Sequence, residues 1–441
     1  MKLAMPFFAL SLTAMLSAQS ALNPAGKSSG LTVSVRNGAQ ARENMLVTQR
    51  VTREWAASVA NGGGFAEQHA DGSFTPVPFA LDSTGEAPVL VWQMPGTTAP
   101  NAVRRFAWRT GQTLGTAPVS DLTVLTDDAR IAVANGYFRL AHPLRGKGGF
   151  PRDIEYVRSG NVDPKLHFLD RIVRKSEDGR LKQYYANACE DATARVVFTS
   201  PLRVVVEVQT GFGSRAANTP GQPQVVYRYA YSANSPVVQV EARYTRTDDG
   251  PWRELHFLHL TRNEAHYTRF VTGDVGTTHL LQPKGEPSRA VKGPQWGVMA
   301  DETDACGAGF DGVTCWDASN EFVYYVRSGH TTWQGPEARF EGGLYFGPAG
   351  DEAWYSQWLG REREPEVALF MDGRPWIPVE RDSPVGAYRL ENAALRIVFA
   401  DAEQGYDCTG IVNLLADDAR FVRTRDSAPG LWSLTFKTPA D

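Results

Sequence analysis

The 441 residues contain no glycine-rich phosphate loop, no Gly-x-Ser-x-Gly elbow and no His-Glu-x-x-His helix, so nucleotide chemistry, elbow-type serine hydrolysis and zincin proteolysis find no support. Neither sign of charge is in excess: 45 Lys and Arg stand against 49 Asp and Glu, giving a formal net charge of -4 and a pI near 6.1. Without a basic footprint, affinity for nucleic acid through phosphate neutralisation is not expected. A neutral or weakly charged partner fits better. Beyond Ser20 no apolar run is long enough to cross a bilayer, so no membrane span is expected. Helical periodicity is scarce as well, and its clearest window is short. In Asp351–Leu359 two tryptophans lie four apart behind an aspartate suited to an N-terminal cap.

Cysteine is sparse too, with Cys189, Cys306, Cys315 and Cys408 all after the N-terminal segment. Met1-Lys2, the apolar stretch Leu3 to Leu16 and the small residues of Ala18-Gln19-Ser20 read as a signal peptide cleaved after Ser20. The expected location is therefore secreted or periplasmic, where disulfides persist. Four cysteines allow three complete pairings, and the sequence does not choose among them. A bridge from Cys306 to Cys315 across the glycine-rich segment Gly307 to Gly312 is the one expected, since it would lock a mobile turn.

What the chain has in quantity is strand. Leu202–Val208, Val225–Tyr231 and Val237–Tyr244 are rich in β-branched and aromatic residues at near period two, and Ser232 to Pro236 joins the last two as a turn. The chain is therefore expected to be all-β. Short apolar runs separated by turn signals over 31–114 read as a small β-barrel or sandwich, and 121–347 supplies strands for a large antiparallel β-sandwich. Residues 348–384 read as a helix and linker.

One pattern occurs twice. Asn135-Gly136-Tyr137-Phe138-Arg139 is followed by Gly148 and Ile154, and Asn392-Ala393-Ala394-Leu395-Arg396 by Gly405 and Ile411 at the same intervals. Each copy reads as a β-hairpin opening a sandwich. The second, over 385–441, has room for only a few strands, so a further β-domain is expected to begin there and to be incomplete.

This hairpin resembles the opening of the antiparallel sandwiches related to galactose mutarotase in secreted carbohydrate-active enzymes. With Arg42–Val47, Asp71–Pro78 and Arg104-Arg105-Phe106, it makes the first two blocks similar to the barrel and central sandwich of exo-rhamnogalacturonan lyase-like proteins. Those proteins follow the sandwich with an α/α toroid, whereas here the second hairpin follows. The resemblance implies a secreted protein acting on an extracellular polysaccharide or oligosaccharide, as part of a polysaccharide lyase or glycoside hydrolase. The alternative is a non-catalytic glycan-binding or cell-envelope sandwich.

Candidate chemistry concentrates in Trp252 to Leu260. On a regular strand Glu254 and His256 share one face, and Arg253 and His259 the other. A carboxylate beside an imidazole on a concave sheet can act as acid and base on a sugar, while a hydrogen-bonded surface pair is the competing reading. Asp170 and Arg171 are candidates for contact with a sugar hydroxyl or uronate, or else a surface ion pair. Trp333, between His330 and Gly335-Pro336, is the first candidate for stacking on a pyranose, with burial between sheets as the alternative. His259 joins these as a substrate contact. No cofactor is expected. Calcium is the one possibility, in the acidic loop of Asp301, Glu302, Asp304 and Asp311, although that loop lacks regular ligand spacing.

Overall fold

The computed structural model describes residues 30–60, 62–109, 118, 120–163, 166–175, 179–213, 222–248, 252–262, 267–273, 278–280, 291–292, 296–310, 314–317, 324–329, 331–333, 335–360, 365–371, 374–375, 388–391, 394–399, 420–425 and 432–437. The fold is all-β and antiparallel, with sheets of nine, seven, six, five, four, three and two strands among these residues. The leader 1–20 and Cys408 lie outside the described residues, as do the side chains of the last β-unit.

The three runs read from period two form adjacent strands, Arg203–Gly211, Gln224–Ser232 and Val237–Thr245. They lie in the nine-stranded sheet, which Glu337–Pro348, Asp304–Phe310 and Trp296–Ala300 continue. Alternation does the sorting: Val204, Val206 and Val208 are fully or almost fully buried in the same core as Tyr227, Tyr229 and Tyr231. Opposite lie the seven-stranded sheet built around Leu166–Lys175, Trp252–Arg262 and Tyr324–Ser328, and the five-stranded sheet that contains the first hairpin. One apolar core, from Ile131 to Phe346, joins the three sheets.

The segment Gly307–Phe310, expected as a mobile loop, is the interior of a buried strand. Its glycines serve close packing. A Cβ on Gly307 would stand 2.4 Å from the carbonyl oxygen of Gly297 on the next strand. Cys306 is therefore deep in the sandwich, where its sulfur meets the Tyr267 hydroxyl. Only the backbone of Cys315 is described, so the expected bridge between the two lies outside the described side chains. Of the acidic loop, Asp311 lies outside the described residues, and the described part forms a hydrogen-bonded turn: Asp301 accepts the amides of Thr303 and Asp304 at 2.7 Å each, and Asp304 accepts Ser159 Oγ at 2.8 Å and Asn161 Nδ2 at 2.6 Å.

The first block is two sheets packed face to face, six strands against three, and not a closed barrel. Its core includes Leu31, Val33, Val35, Phe65 and Trp92. The helix Arg53–Val59, which weak periodicity concealed, closes one end and is capped by Thr52 accepting the Trp55 amide at 3.2 Å. The segment read as a linker carries the strand Glu366–Met371, which pairs with Leu31–Arg36 and returns the chain to this sheet. The helix Glu352–Leu359 is present, with Asp351 accepting the Trp354 amide at 2.8 Å as its cap.

The first hairpin forms as expected, Arg130–Ala134 pairing with Phe138–Pro143 and the latter with Arg152–Tyr156. Asn135 holds its turn: Oδ1 accepts the amides of Tyr137 and Phe138, and Nδ2 donates to Ser232 O and Ser235 O across the fold. Of the second copy, Ala394–Phe399 is described, paired with Trp432–Lys437, while Asn392, Gly405 and Ile411 lie outside the described residues.

Two measurements check this architecture. Asn135→Ala orphans two carbonyls and two amides and should lower the unfolding free energy by about 2 kcal/mol in denaturant titration. His142, buried between Gly149 O and the Tyr231 hydroxyl, is pushed by burial from 6.5 down to about 4. A depressed histidine contributes stability that is present above its ordinary pKa and lost as pH falls towards the folded value. Between pH 7.5 and pH 5 its share of the loss should be about 2 kcal/mol, absent in His142→Gln.

Candidate functional site

Leu166–Lys175 and Trp252–Arg262 pair along most of their length, with Arg171 opposite His256 and Leu169 opposite His259. One residue separates the first members of these pairs and two separate the second, so the longer strand carries a β-bulge. Leu258 takes up the extra residue at a φ of 33°, a left-handed conformation costly for a leucine. Leu255, Phe257, Leu258 and Leu260 all enter the core. The bulge shifts the alternation, and His259 lands on the outer face with Glu254 and His256. Regular alternation placed it on the other face. A second register shift between Trp252 and Leu255 leaves Arg253 exposed.

On that outer face His256 Nε2 lies 2.8 Å from Glu254 Oε2 and 3.0 Å from Arg171 Nη2, and Arg171 Nη2 lies 3.4 Å from the same carboxylate oxygen. The rings of His256 and His259 are 5.2 Å apart, and His259 is 6.1 Å from Tyr325. Arg327, opposite His259 on the next strand, stands 5.4 Å over the Tyr325 ring. The exposed rim of the cluster is narrow: Arg171 and Glu254 keep 25% and 22% of their side-chain surface, whereas His256 is 1% exposed and His259 8%.

Electrostatics keep both imidazoles neutral. Burial first, and then the Arg171 guanidinium, pull His256 down to about 3 against the opposing effect of its hydrogen bond to the Glu254 carboxylate. Burial, with His256, Arg327 and Arg171 beside it, holds His259 well below its ordinary 6.5. His256 Nε2 stands between the Glu254 carboxylate, which accepts, and the Arg171 guanidinium, which donates, so the tautomer of the neutral ring decides which of the two it pairs with. The carboxylate is thus oriented from below and flanked by a cation. Such a group can take and return a proton at the rim.

The other expected contacts are elsewhere. Asp170 points the opposite way from Arg171, into the core, where it is fully buried and its Oδ2 accepts the hydroxyls of Tyr227, at 2.5 Å, and Tyr244. It is neither a substrate contact nor the ion-pair partner of Arg171. Trp333 is 2% exposed and packs against Trp252 and Tyr244, with Arg246 over its ring at 5.1 Å, so it offers no stacking platform. Sequence reasoning passed over Tyr325 and Arg327. The alternation Tyr325-Val326-Arg327, with Val326 in the core, is the signal that could have found them. Among the described residues no group of three or more side chains is placed to hold a metal ion.

No protein-family model and no curated protein matches this chain. Solved structures do. An α-mannosidase from Enterococcus faecalis V583 aligns at 11% identity and a TM-score of 0.53, over 85% of this chain and 51% of its own. A glycosyl hydrolase family 38 protein from Enterococcus faecalis aligns at 11% identity and a TM-score of 0.51, over 84% of this chain and 52% of its own. At these identities the likeness shows the fold, and the chain spans about half the length of both proteins. A putative aldose 1-epimerase from Klebsiella pneumoniae subsp. pneumoniae MGH 78578, at 9% identity over 70% of this chain and 93% of its own, reaches a TM-score of only 0.35 and carries no weight.

Titration of the histidine rings by NMR should show His256 and His259 unprotonated down to pH 5. In Arg171→Met, which removes the nearest cation, the His256 pKa should rise by about one unit.

Proposed function

We propose that this is an exported carbohydrate-active protein and that the outer-face cluster performs acid/base chemistry on an acidic polysaccharide. The observation that carries the reading is the gathering of Glu254, His256, His259, Arg171, Tyr325 and Arg327 on one sheet face, two of them cations and two neutral imidazoles. The mannosidase and glycosyl hydrolase names of the fold neighbours lend support of class only.

Arg171 at the rim suits a uronate carboxylate, which it neutralises while Glu254 takes the proton on the adjacent carbon. The electron pair of that C–H bond forms a carbon–carbon double bond, the glycosidic C–O bond breaks, and Glu254 returns its proton to the leaving oxygen. No water is consumed. Elimination is favoured over hydrolysis because glycosidases of the usual kind need two carboxylates flanking the bond, and the described side chains of the cluster include one. His256 holds the Glu254 carboxylate in place. The depth of His256, His259 and Arg327 favours a second reading, in which the face only holds a glycan.

Incubation with a panel of uronate-containing and neutral polysaccharides, following absorbance of unsaturated uronates and release of reducing ends, separates the readings. Unsaturated product should form, and Glu254→Gln should slow it by about a hundredfold or more. Binding without turnover, unchanged in a Glu254→Gln/His256→Ala double variant, would sink the catalytic reading.

A further inference from the structure

Asp170 is a carboxylate with no role in the chemistry above, yet it is fully buried in the middle of the sandwich. Burying a carboxylate costs several kcal/mol unless hydrogen bonds offset it. Here the offset comes from across the core, where the hydroxyls of Tyr227 and Tyr244, on two strands of the nine-stranded sheet, both donate to Oδ2. Burial still dominates and pushes the acid up to about 7, against the tyrosines and the amides of Arg171 and Leu258. Oδ1 has no hydrogen bond of normal geometry among the described residues.

The position of this carboxylate is informative. Asp170 is the residue between Leu169 and Arg171, directly across from the extra residue of the partner strand. It therefore sits under the bulge at Leu258, whose left-handed backbone is held against its own preference. Without the bulge, alternation would turn His259 into the apolar core. We propose that Asp170, braced by Tyr227 and Tyr244, is a positioning residue that fixes the Leu258 bulge and thereby keeps His259 on the outer face beside His256, Arg171 and Glu254. The proposal rests on the reading of that face as the site, but its geometry can be tested without turnover.

The test uses the full chain carrying Tyr227→Phe/Tyr244→Phe, with Asp170→Asn and the single Tyr244→Phe as milder variants that keep the core filled. Ring nitrogen signals of His256 and His259 are followed by NMR over pH 4 to 8, with His142, in the same core on another strand, as the internal control. In the variants the His259 ring should leave its place beside His256, so the signals of both rings should shift while His259 stays unprotonated over most of this range and His142 stays in place. Release of unsaturated uronate should fall at least tenfold in the double variant, and less in Tyr244→Phe. Folded variants whose His256 and His259 signals match wild type would overturn the proposal, and so would equal movement of His142, which would mark general loosening. Shifted rings in a protein that never turns over polysaccharide would uphold the positioning role and reject the catalytic reading instead.

Discussion

A β-strand shows its side chains to two faces in turn, and the large sandwich stands on the requirement that each strand present an apolar set to one shared core. Three neighbouring strands of the nine-stranded sheet, Arg203–Gly211, Gln224–Ser232 and Val237–Thr245, meet that requirement chiefly with valine and tyrosine at every second position. Its partner sheets meet it with Phe168, Ile172, Leu255 and Phe257. The polar residues between them are thereby consigned to the outer faces, which is how Glu254, His256 and Arg171 come to be neighbours. The bulge at Leu258 interrupts the rule and adds His259.

The core is not purely apolar, and its polar groups are arranged in pairs that cross between layers. His142 meets Tyr231, Asp170 meets Tyr227 and Tyr244, and Tyr156 meets Tyr267 at 2.7 Å, which in turn donates to Asp163 at 3.0 Å. The first two join strands from different sheets, and the third ties the five-stranded sheet to the segment that leads into Arg269–Thr272. Such contacts contribute little net energy compared with apolar burial, because the same groups were hydrogen-bonded to water in the unfolded chain. Left unmade they are expensive, so they restrict how the layers can slide past one another. By contrast, the pairs between the small domain and the nine-stranded sheet, Arg50 with Glu241 and Glu341 and Glu86 with Arg243, are half exposed and contribute little.

The likeness to an α-mannosidase and a family 38 glycosyl hydrolase concerns this layered framework. A framework of that kind accepts many chemistries, so the site has to be argued from its own residues. Here the outer-face cluster combines neutral bases, cations and one oriented carboxylate within a few ångströms. Its narrow rim means that any ligand is met first by Glu254 and Arg171.

By itself the sequence determined the strand content, the places of the three central strands to within three residues, the first hairpin with Asn135 at its turn, the capped helix at Asp351 and the nearness of Glu254 to His256. All of these are local: period-two alternation, turn chemistry and i, i+2 neighbours operate within a few residues. Tertiary structure alone decided the rest. Asp170 and Arg171 are adjacent in sequence yet part at the sheet, one into the core and one to the rim, because a strand alternates. Trp333 is exposed or buried according to what lies across from it, and what lies across is Trp252. Glu366–Met371 became a strand of the first domain because Leu31–Arg36, more than three hundred residues earlier, offered it an edge. His259 changed face because of one left-handed leucine, and no periodicity in the sequence marks a bulge whose position is set by the register of two strands nearly ninety residues apart.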